Sequence, residues 1–243
     1  MFKTIILIPS RLAAKRLPNK PLFKIKDKAL INHVYDKAVK TELGDVYVAT
    51  SDKKIFKEVI KNGGKCIITK KKHKTGTDRI FEGFTKLKKN KNTNILNLQG
   101  DEPLINVKDL RRLAKTFSKK KMEMATLACK IFNKKDLTNK NVVKVNTKIR
   151  LTKNNFSEAH DFYRKKNNVL SNNIYHHIGV YIYKFDTLKK LVSLKRTKRE
   201  KLLSLEQLRA LDNDIKINVM LAENKPIGVD TLEDFYKVKE LLK

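Results

Sequence analysis

Tryptophan is absent from this chain, aromatic residues make up 7 % of it, and cysteine occurs twice in 243 residues. So few aromatics leave no obvious stacking platform for exposed bases. Cys66 and Cys129 stand far apart in apolar surroundings, with no Cys-x-x-Cys pair and no histidine cluster beside them. That argues against a disulfide framework or a cysteine-based zinc site, and reads as two buried, reduced thiols of a cytoplasmic protein. No apolar run approaches the ~20 residues of a membrane span, and the N-terminal one, ending at Pro9, is too short for a signal peptide. Acid is scarce as well: 25 Asp and Glu against 56 Lys and Arg leave a formal net charge of +31. Such a balance invites a nucleic-acid reading. Yet only ten of the 56 are arginine, and the lysines are scattered through nearly every segment. Lys, Asn and Ile are abundant together, as in a compositional bias that fills exposed positions with lysine. The charge therefore argues for anionic ligands and only weakly for nucleic acid.

What is present is an α/β pattern long enough for one large domain, or one domain with an arm, and for a sizeable core. Residues 5–8, all apolar, read as a buried first strand. Residues 29–41 carry apolar side chains at helical spacing. Between them, residues 9–22 hold the cations Arg11, Arg16 and Lys20, with Lys15 beside Arg16, among Pro9, Pro18 and Pro21. Proline fixes φ and removes donors, so this loop reads as stiff and non-helical. In α/β sheets ligands bind at the carboxyl ends of the strands, and charges held there suit a polyphosphate. A solvated basic loop is the plain alternative in so basic a chain. The loop contains no glycine, so it is not a Walker loop.

Further along, 46–50 reads as a strand, 53–61 as a helix ended by Gly63-Gly64, and 66–69 as another strand. The run His73-Lys-Thr-Gly-Thr-Asp-Arg79 opens a helix to about Leu87, whose Thr and Asp residues suit N-caps and whose N-terminus favours anions. Capping by itself explains Thr77 and Asp78. A strand at 95–98 runs into Gln99-Gly-Asp-Glu-Pro103. A Gly-Asp pair there turns the backbone and offers a carboxylate of the kind that holds Mg²⁺ with substrate phosphates, although an Asp-containing turn is its commoner fate. Residues 107–118 form an amphipathic helix with Leu110, Leu113, Ala114 and Phe117 on one face. Residues 175–183 read as a strand. Thr231 reads as the N-cap of the last helix with Asp234 at its third position, which leaves Asp230 just outside, at the rim of the sheet.

Taken together, Arg11-x4-Arg16-Leu-Pro-x-Lys20-Pro-Leu, His73-x-Thr-Gly-Thr-Asp-Arg79 and Gln99-Gly-Asp-Glu-Pro resemble the bacterial 3-deoxy-manno-octulosonate (Kdo) cytidylyltransferases. Ala125-Thr-Leu-Ala, Asn141-Val-Val-Lys-Val145, His177-Ile-Gly-Val-Tyr181, Leu205-Glu-Gln-Leu-Arg209 and Gly228-Val-Asp-Thr-x-Glu-Asp234 extend the likeness over residues 3 to 242. The resemblance implies a Rossmann-like α/β nucleotidyltransferase with a mixed central sheet flanked by helices, and a dimerisation sheet arm from the second half. It implies one domain, 1–243, with a nucleotide-binding half (1–120), a sugar-binding and dimerisation half (121–210) and a return to the main sheet (211–243). The implied reaction is CTP plus Kdo giving CMP-Kdo and pyrophosphate for lipopolysaccharide synthesis, in a cytoplasmic homodimer without specific nucleic-acid binding or membrane insertion.

By the same resemblance Arg11, Lys20 and Asp101 are catalytic. Ser10, Arg11, Arg16, Lys20, Thr75 and Gln99 bind the nucleotide, and Arg79, His177, Glu206 and Gln207 face the sugar acid. Asp101 and Asp230 carry Mg²⁺. A lone strand histidine is more often structural, and only the likeness turns His177 towards the cleft. Two departures fall in the sugar half: Glu158 stands where the family has an arginine, and Leu203 where it has a glutamate. Glu158 at the cleft would favour an amino-substituted ulosonic acid such as 8-amino-8-deoxy-Kdo; a realigned loop, with Arg164 supplying the cation, would leave plain Kdo. A basic nucleic-acid-binding protein is the alternative from another class.

Overall fold

Strand β1, Thr4–Ser10, is buried along almost its whole length, as an unbroken apolar run should be in a strand covered on both faces. Its side chains alternate: Ile6 and Ile8 enter one core, Ile5 and Leu7 another, the two-residue period of a strand. In this computed structural model the described residues are 3–13, 16–133, 135–165 and 173–242, so Ala14 and Lys15 of the cationic loop lie outside them.

After β1 come the short β2 (Lys24–Ile25) and β3 (Lys28–Ala29), α1 (Leu30–Val39), β4 (Val46–Thr50), α2 (Lys53–Lys61), β5 (Cys66–Ile68), α3 (Gly76–Lys86), β6 (Asn94–Asn97) and α4 (Val107–Lys119). The second half holds β7 (Met124–Cys129), α5 (Lys135–Thr138), β8 (Lys144–Thr147), β9 (Phe156–Tyr163), β10 (Ile174–Tyr183), α6 (Phe185–Ser193), α7 (Lys198–Leu203), α8 (Leu208–Leu211), β11 (Asn218–Leu221) and α9 (Leu232–Leu241). Boundaries differ from those expected by a residue or two, the usual scatter at element ends. Gly63, at φ +75°, supplies the left-handed turn that ends α2. One local expectation fails: the cationic loop ends in a single 3₁₀ turn, Lys20–Leu22. Pro21 lies in its first turn, where a missing N–H costs nothing.

Among the described residues, nine strands form one mixed sheet in the order β5-β4-β1-β6-β10-β7-β11-β9-β8. The first four are parallel. Strand β10 then enters antiparallel between β6 and β7. It also pairs with β8, so β10, β7, β11, β9 and β8 make a closed circuit of pairings. The second-half strands thus continue the central sheet.

Helices α1, α2 and α4 cover one face with Val34, Ile55, Val59, Leu113 and Phe117. Helices α3 and α6 cover the other with Ile80, Phe84, Leu188 and Leu191. A third, smaller core joins Leu17 and Ile25, from the region after β1, to Val229, Phe235 and Val238 near the C-terminus. Each such side chain, once buried, contributes about 1.5–3 kcal/mol. This cluster is what brings residues 228–230 against the cationic loop, more than two hundred positions earlier in the chain.

Candidate active site

The chain leaves β1 and β6 at the carboxyl ends of adjacent parallel strands, and the two loops diverge around a cavity of about 480 Å³. That is where an α/β sheet places its ligand. One wall carries Ser10, Arg11, Arg16 and Lys20 from the loop after β1. The facing wall carries Gln99, Gly100 and Asp101 after β6, with Asp230 beyond them. Thr75, Gly76 and Arg79, at the start of α3, close one end together with Ser204 and Glu206.

The ionic corner lies between Lys20, Asp101 and Asp230. Lys20 Nζ donates to Asp101 Oδ2 at 2.8 Å and to the Val229 carbonyl at 2.5 Å, and Asp230 Oδ1 lies 3.5 Å away. Arg16 Nη2 reaches Asp230 Oδ2 at 2.9 Å. The two aspartates, 129 positions apart, thus share one ammonium. The backbone fixes this: Val229 N donates to Asp101 O at 2.8 Å, and the capping box of Thr231 and Asp234 starts α9 immediately after Asp230. Gly228 permits the close approach, since a Cβ there would come within 2.9 Å of Glu102 Oε1. Burial, with Asp101 and Asp230 adding to it, pushes the Glu102 carboxyl up to about 8 against the pull of Lys20. That favours its protonated form and relieves a corner otherwise crowded with carboxylates.

Ser10 Oγ is buried at the cavity wall with no hydrogen-bond partner among the described residues, a polar atom that a ligand would satisfy. Leu12 N donates to Asp52 Oδ2 at 3.0 Å, tying the loop after β1 to the end of β4.

At the other end of the cavity the polar groups are bonded to one another. Thr75, not Thr77 or Asp78, is the N-cap of α3 and accepts from Asp78 N at 3.1 Å. Glu206 lines the cavity, but its carboxylate accepts from Gly76 N, Thr77 N and Thr77 Oγ1 at 3.2, 3.2 and 2.6 Å. It holds the partial positive charge of the helix N-terminus. Arg79, 4 % exposed, lines the cavity and donates to Thr69 Oγ1 at 2.5 Å. Burial lowers its basicity, and Arg11 nearby pushes the same way while Asp52 and Glu82 oppose.

His177 and Gln207 do not line the cavity. His177 is buried in β10, packed edge-on against Phe162, with Nε2 3.1 Å from Thr126 Oγ1. Burial, with His176 adding to it, lowers its pKa to about 3, so the ring is neutral. The alternation of β10 turns it into the interior, the ordinary fate of a lone strand histidine. Gln207 is also buried, at the start of α8.

Glu158 is elsewhere altogether. In β9 it sits opposite Asn218 of β11 and pairs with Lys148 and Lys216. The electrostatic case for an amino sugar needs Glu158 at the cavity, so it falls. Arg164 stands instead near the cavity mouth, close enough to Arg16 and Asp230 for both charges to act on it. Its guanidinium donates to Leu203 O at 2.8 Å, Lys140 O at 3.2 Å and Ser204 O at 3.5 Å. Lys144, wholly buried, donates to the carbonyls of Asn139, Val142 and Arg164 and so holds the backbone of the same turn. Leu203, where the family has a glutamate, packs on the second core.

One ion pair escaped the sequence reading. Glu200, fully buried, takes Arg209 Nε and Nη2 at 2.9 and 2.8 Å and Arg196 Nε at 2.8 Å. Arg209 also lies 3.4 Å from Asp78. It thereby fastens α7 and α8 to the first turn of α3, close to the point where Glu206 docks. A buried Arg–Glu pair nine residues apart has no periodic signature; the Leu-Glu-Gln-Leu-Arg motif was its only trace.

A mixed α/β sheet with a cationic, carboxylate-edged cavity at its strand ends defines a nucleotidyltransferase. Residues 5–217 match the cytidylyltransferase family, and the chain belongs to it. A 3-deoxy-manno-octulosonate cytidylyltransferase of Bartonella henselae is 38 % identical over 98 % of both chains. One of Fusobacterium nucleatum is 39 % identical over 99 % of this chain and 97 % of its own. A solved CMP:2-keto-3-deoxy-manno-octonic acid synthetase in complex with CTP superposes with a TM-score of 0.87 at 33 % identity, covering 99 % of this chain and 98 % of that one. A UDP-glucose pyrophosphorylase at 15 % identity and a TM-score of 0.71 shares the fold alone.

Proposed function

We propose that this enzyme transfers CMP from CTP to the anomeric hydroxyl of Kdo, releasing pyrophosphate, with Mg²⁺ as cofactor. The observation that carries the reading is the convergence of Arg16, Lys20, Asp101 and Asp230 on one cavity at the strand ends, in a chain of cytidylyltransferase sequence. Polyphosphate binding needs cations fixed on a stiff loop, and Arg11, Arg16 and Lys20 provide them. The bond that breaks lies between the α- and β-phosphates; the one that forms joins the sugar oxygen to the α-phosphorus. Catalysis of this kind is mostly positioning and charge neutralisation.

Arg11 and Lys20 hold the β- and γ-phosphates and take up the charge of the departing pyrophosphate, with Arg16 outside them. Ser10, Thr75 and Gln99, with the backbone around Ser10, read the nucleoside. Arg79 is the cation for the sugar carboxylate, in a fork geometry suited to that group, and Arg164 supplies a second one at the mouth. Glu206 shapes the sugar end by holding the turn between α7 and α8 against α3, while Gln207 and His177 are buried away from the cavity. The oxygens of Asp101, Asp230 and the Val229 carbonyl, all gathered around one cation, are hard donors of the kind Mg²⁺ takes. When bound there, Mg²⁺ lowers the cost of bringing an oxyanion nucleophile to a polyanion. A homodimer built through the second half is part of this reading.

The test is pyrophosphate release with each of the four nucleoside triphosphates and a panel of ulosonic acids. CTP with plain Kdo should give the highest kcat/KM. A preference for another nucleotide, or for the 8-amino sugar over Kdo, would sink the assignment.

A further inference from the structure

The Lys20 ammonium stands where a divalent cation serving Asp101 and Asp230 would stand. Its neighbours are Asp101 Oδ2 at 2.8 Å, the Val229 carbonyl at 2.5 Å and Asp230 Oδ1 at 3.5 Å. The lysine side chain is 11 % exposed, while Asp101 and Asp230 are 34 % and 50 % exposed. The cation is therefore the inner member, and the carboxylates open outward to the cavity. A lysine ammonium is a compact point charge on a flexible four-carbon stem, able to satisfy the same oxygens as a metal ion. Two cations a few ångströms apart in a half-buried site repel strongly. Lys20 and a divalent ion cannot share these oxygens on equal terms.

We infer that Lys20 is a tethered counter-cation, which occupies the Asp101–Asp230 site in the nucleotide-free enzyme and keeps divalent metal out until nucleotide phosphates draw it away. The inference rests on the metal reading above and adds an order of events to it. The backbone of Lys20 is fixed, since it follows Asn19 in the left-handed region (φ 59°) and opens the 3₁₀ turn, so only the side chain has to swing. Arg11 and Arg16 line the same wall and attract the same phosphates. Once the ammonium leaves, the two aspartates regain their full negative potential as the nucleotide arrives. Metal and nucleotide then help each other by one and the same factor, as linkage requires.

The experiment titrates the full-length chain with Mn²⁺ alone, following free Mn²⁺ by electron paramagnetic resonance, with folding checked by circular dichroism. Lys20→Met and Lys20→Gln should bind Mn²⁺ about tenfold or more tightly than the unaltered enzyme, because a like charge has been removed from the site. Adding Asp101→Asn should abolish the gain. Variants that bind Mn²⁺ no tighter, or a gain that survives Asp101→Asn, would overturn the inference. Lys20→Arg keeps the charge and should keep metal out; tight binding by it would overturn the electrostatic cause. If pyrophosphate release by the unaltered enzyme were untouched by a chelator, the metal reading itself would fall and take the inference with it.

Discussion

The two ends of the cavity treat charge in opposite ways. At the phosphate end, Arg16 and Asp230 pair with roughly half of each side chain still exposed, and Ser10 Oγ has no partner among the described residues. At the other end, Glu206 makes three hydrogen bonds to α3, and Glu200 with Arg209 is sealed beneath it. The first end holds its charges against one another so that a ligand can take them over. The second has committed its carboxylates, Glu206 and Glu200, to fixing a shape around Arg79. Ligand charge is met by exchange of partners at one end and by fit to a prebuilt wall at the other.

Substitutions can test that contrast. The largest effect should come from Asp101→Asn or Asp230→Asn: kcat falls by about 10²–10³-fold while CTP affinity changes far less, because metal charge stabilisation grows towards the transition state. Steady-state kinetics beside nucleotide titrations would show it. A parallel loss of CTP affinity would mean that the aspartates serve binding alone.

At the prebuilt end the loss should be structural. Glu200→Gln or Arg209→Met leaves a buried charge without its partner and should cost about 3–5 kcal/mol in denaturant unfolding. Arg164→Ala should raise the KM for the sugar acid by roughly 10- to 100-fold with little change in the KM for CTP, since a hydrogen bond to a charged group is worth about 1.5–3 kcal/mol.

A pH effect follows from Glu82. Burial alone would raise its pKa, but Lys86, the Lys70 N–H and His73 outweigh burial and hold it at about 2. A carboxylate depressed in the fold stabilises above its unfolded value near 4.5, and that stability is lost as pH falls from there towards 2. Glu82→Gln should therefore lower the melting temperature at neutral pH and flatten the acid limb. The smallest effect is expected of Glu158→Arg, whose surface pairs are worth at most about 1 kcal/mol; turnover of plain Kdo should not change. A changed sugar preference would return Glu158 to the site.

Local order was legible wherever one segment decided it. The 53–61 helix, the strands at 46–50 and 175–183 and the Thr231 cap with Asp234 all follow from periodicity and cap chemistry over a few residues. The cationic loop and Gln99-Gly-Asp101 were placed correctly at strand ends because the α/β pattern fixes where strands finish. Illegible were facts set by register or by distant packing. Glu158 aligned with a family arginine, but its pairing with β11 turns it towards two lysines. His177 carried a motif and no hint of which way its strand would face. Glu206 reaches α3 across 130 positions, and no local pattern records such a contact.

The position of β10 has a consequence for how the chain is made. Strand β6 ends at Asn97, but the strand that covers its free edge starts at Ile174. While the intervening residues are being synthesised, the parallel half-sheet presents an unpaired edge, open to pairing with other chains. Its completion waits on contacts far apart in sequence, which form slowly. Nascent chains halted before residue 174 should accordingly be more aggregation-prone than chains extended past Leu221, where β11 also covers the remaining edges of β7 and β9.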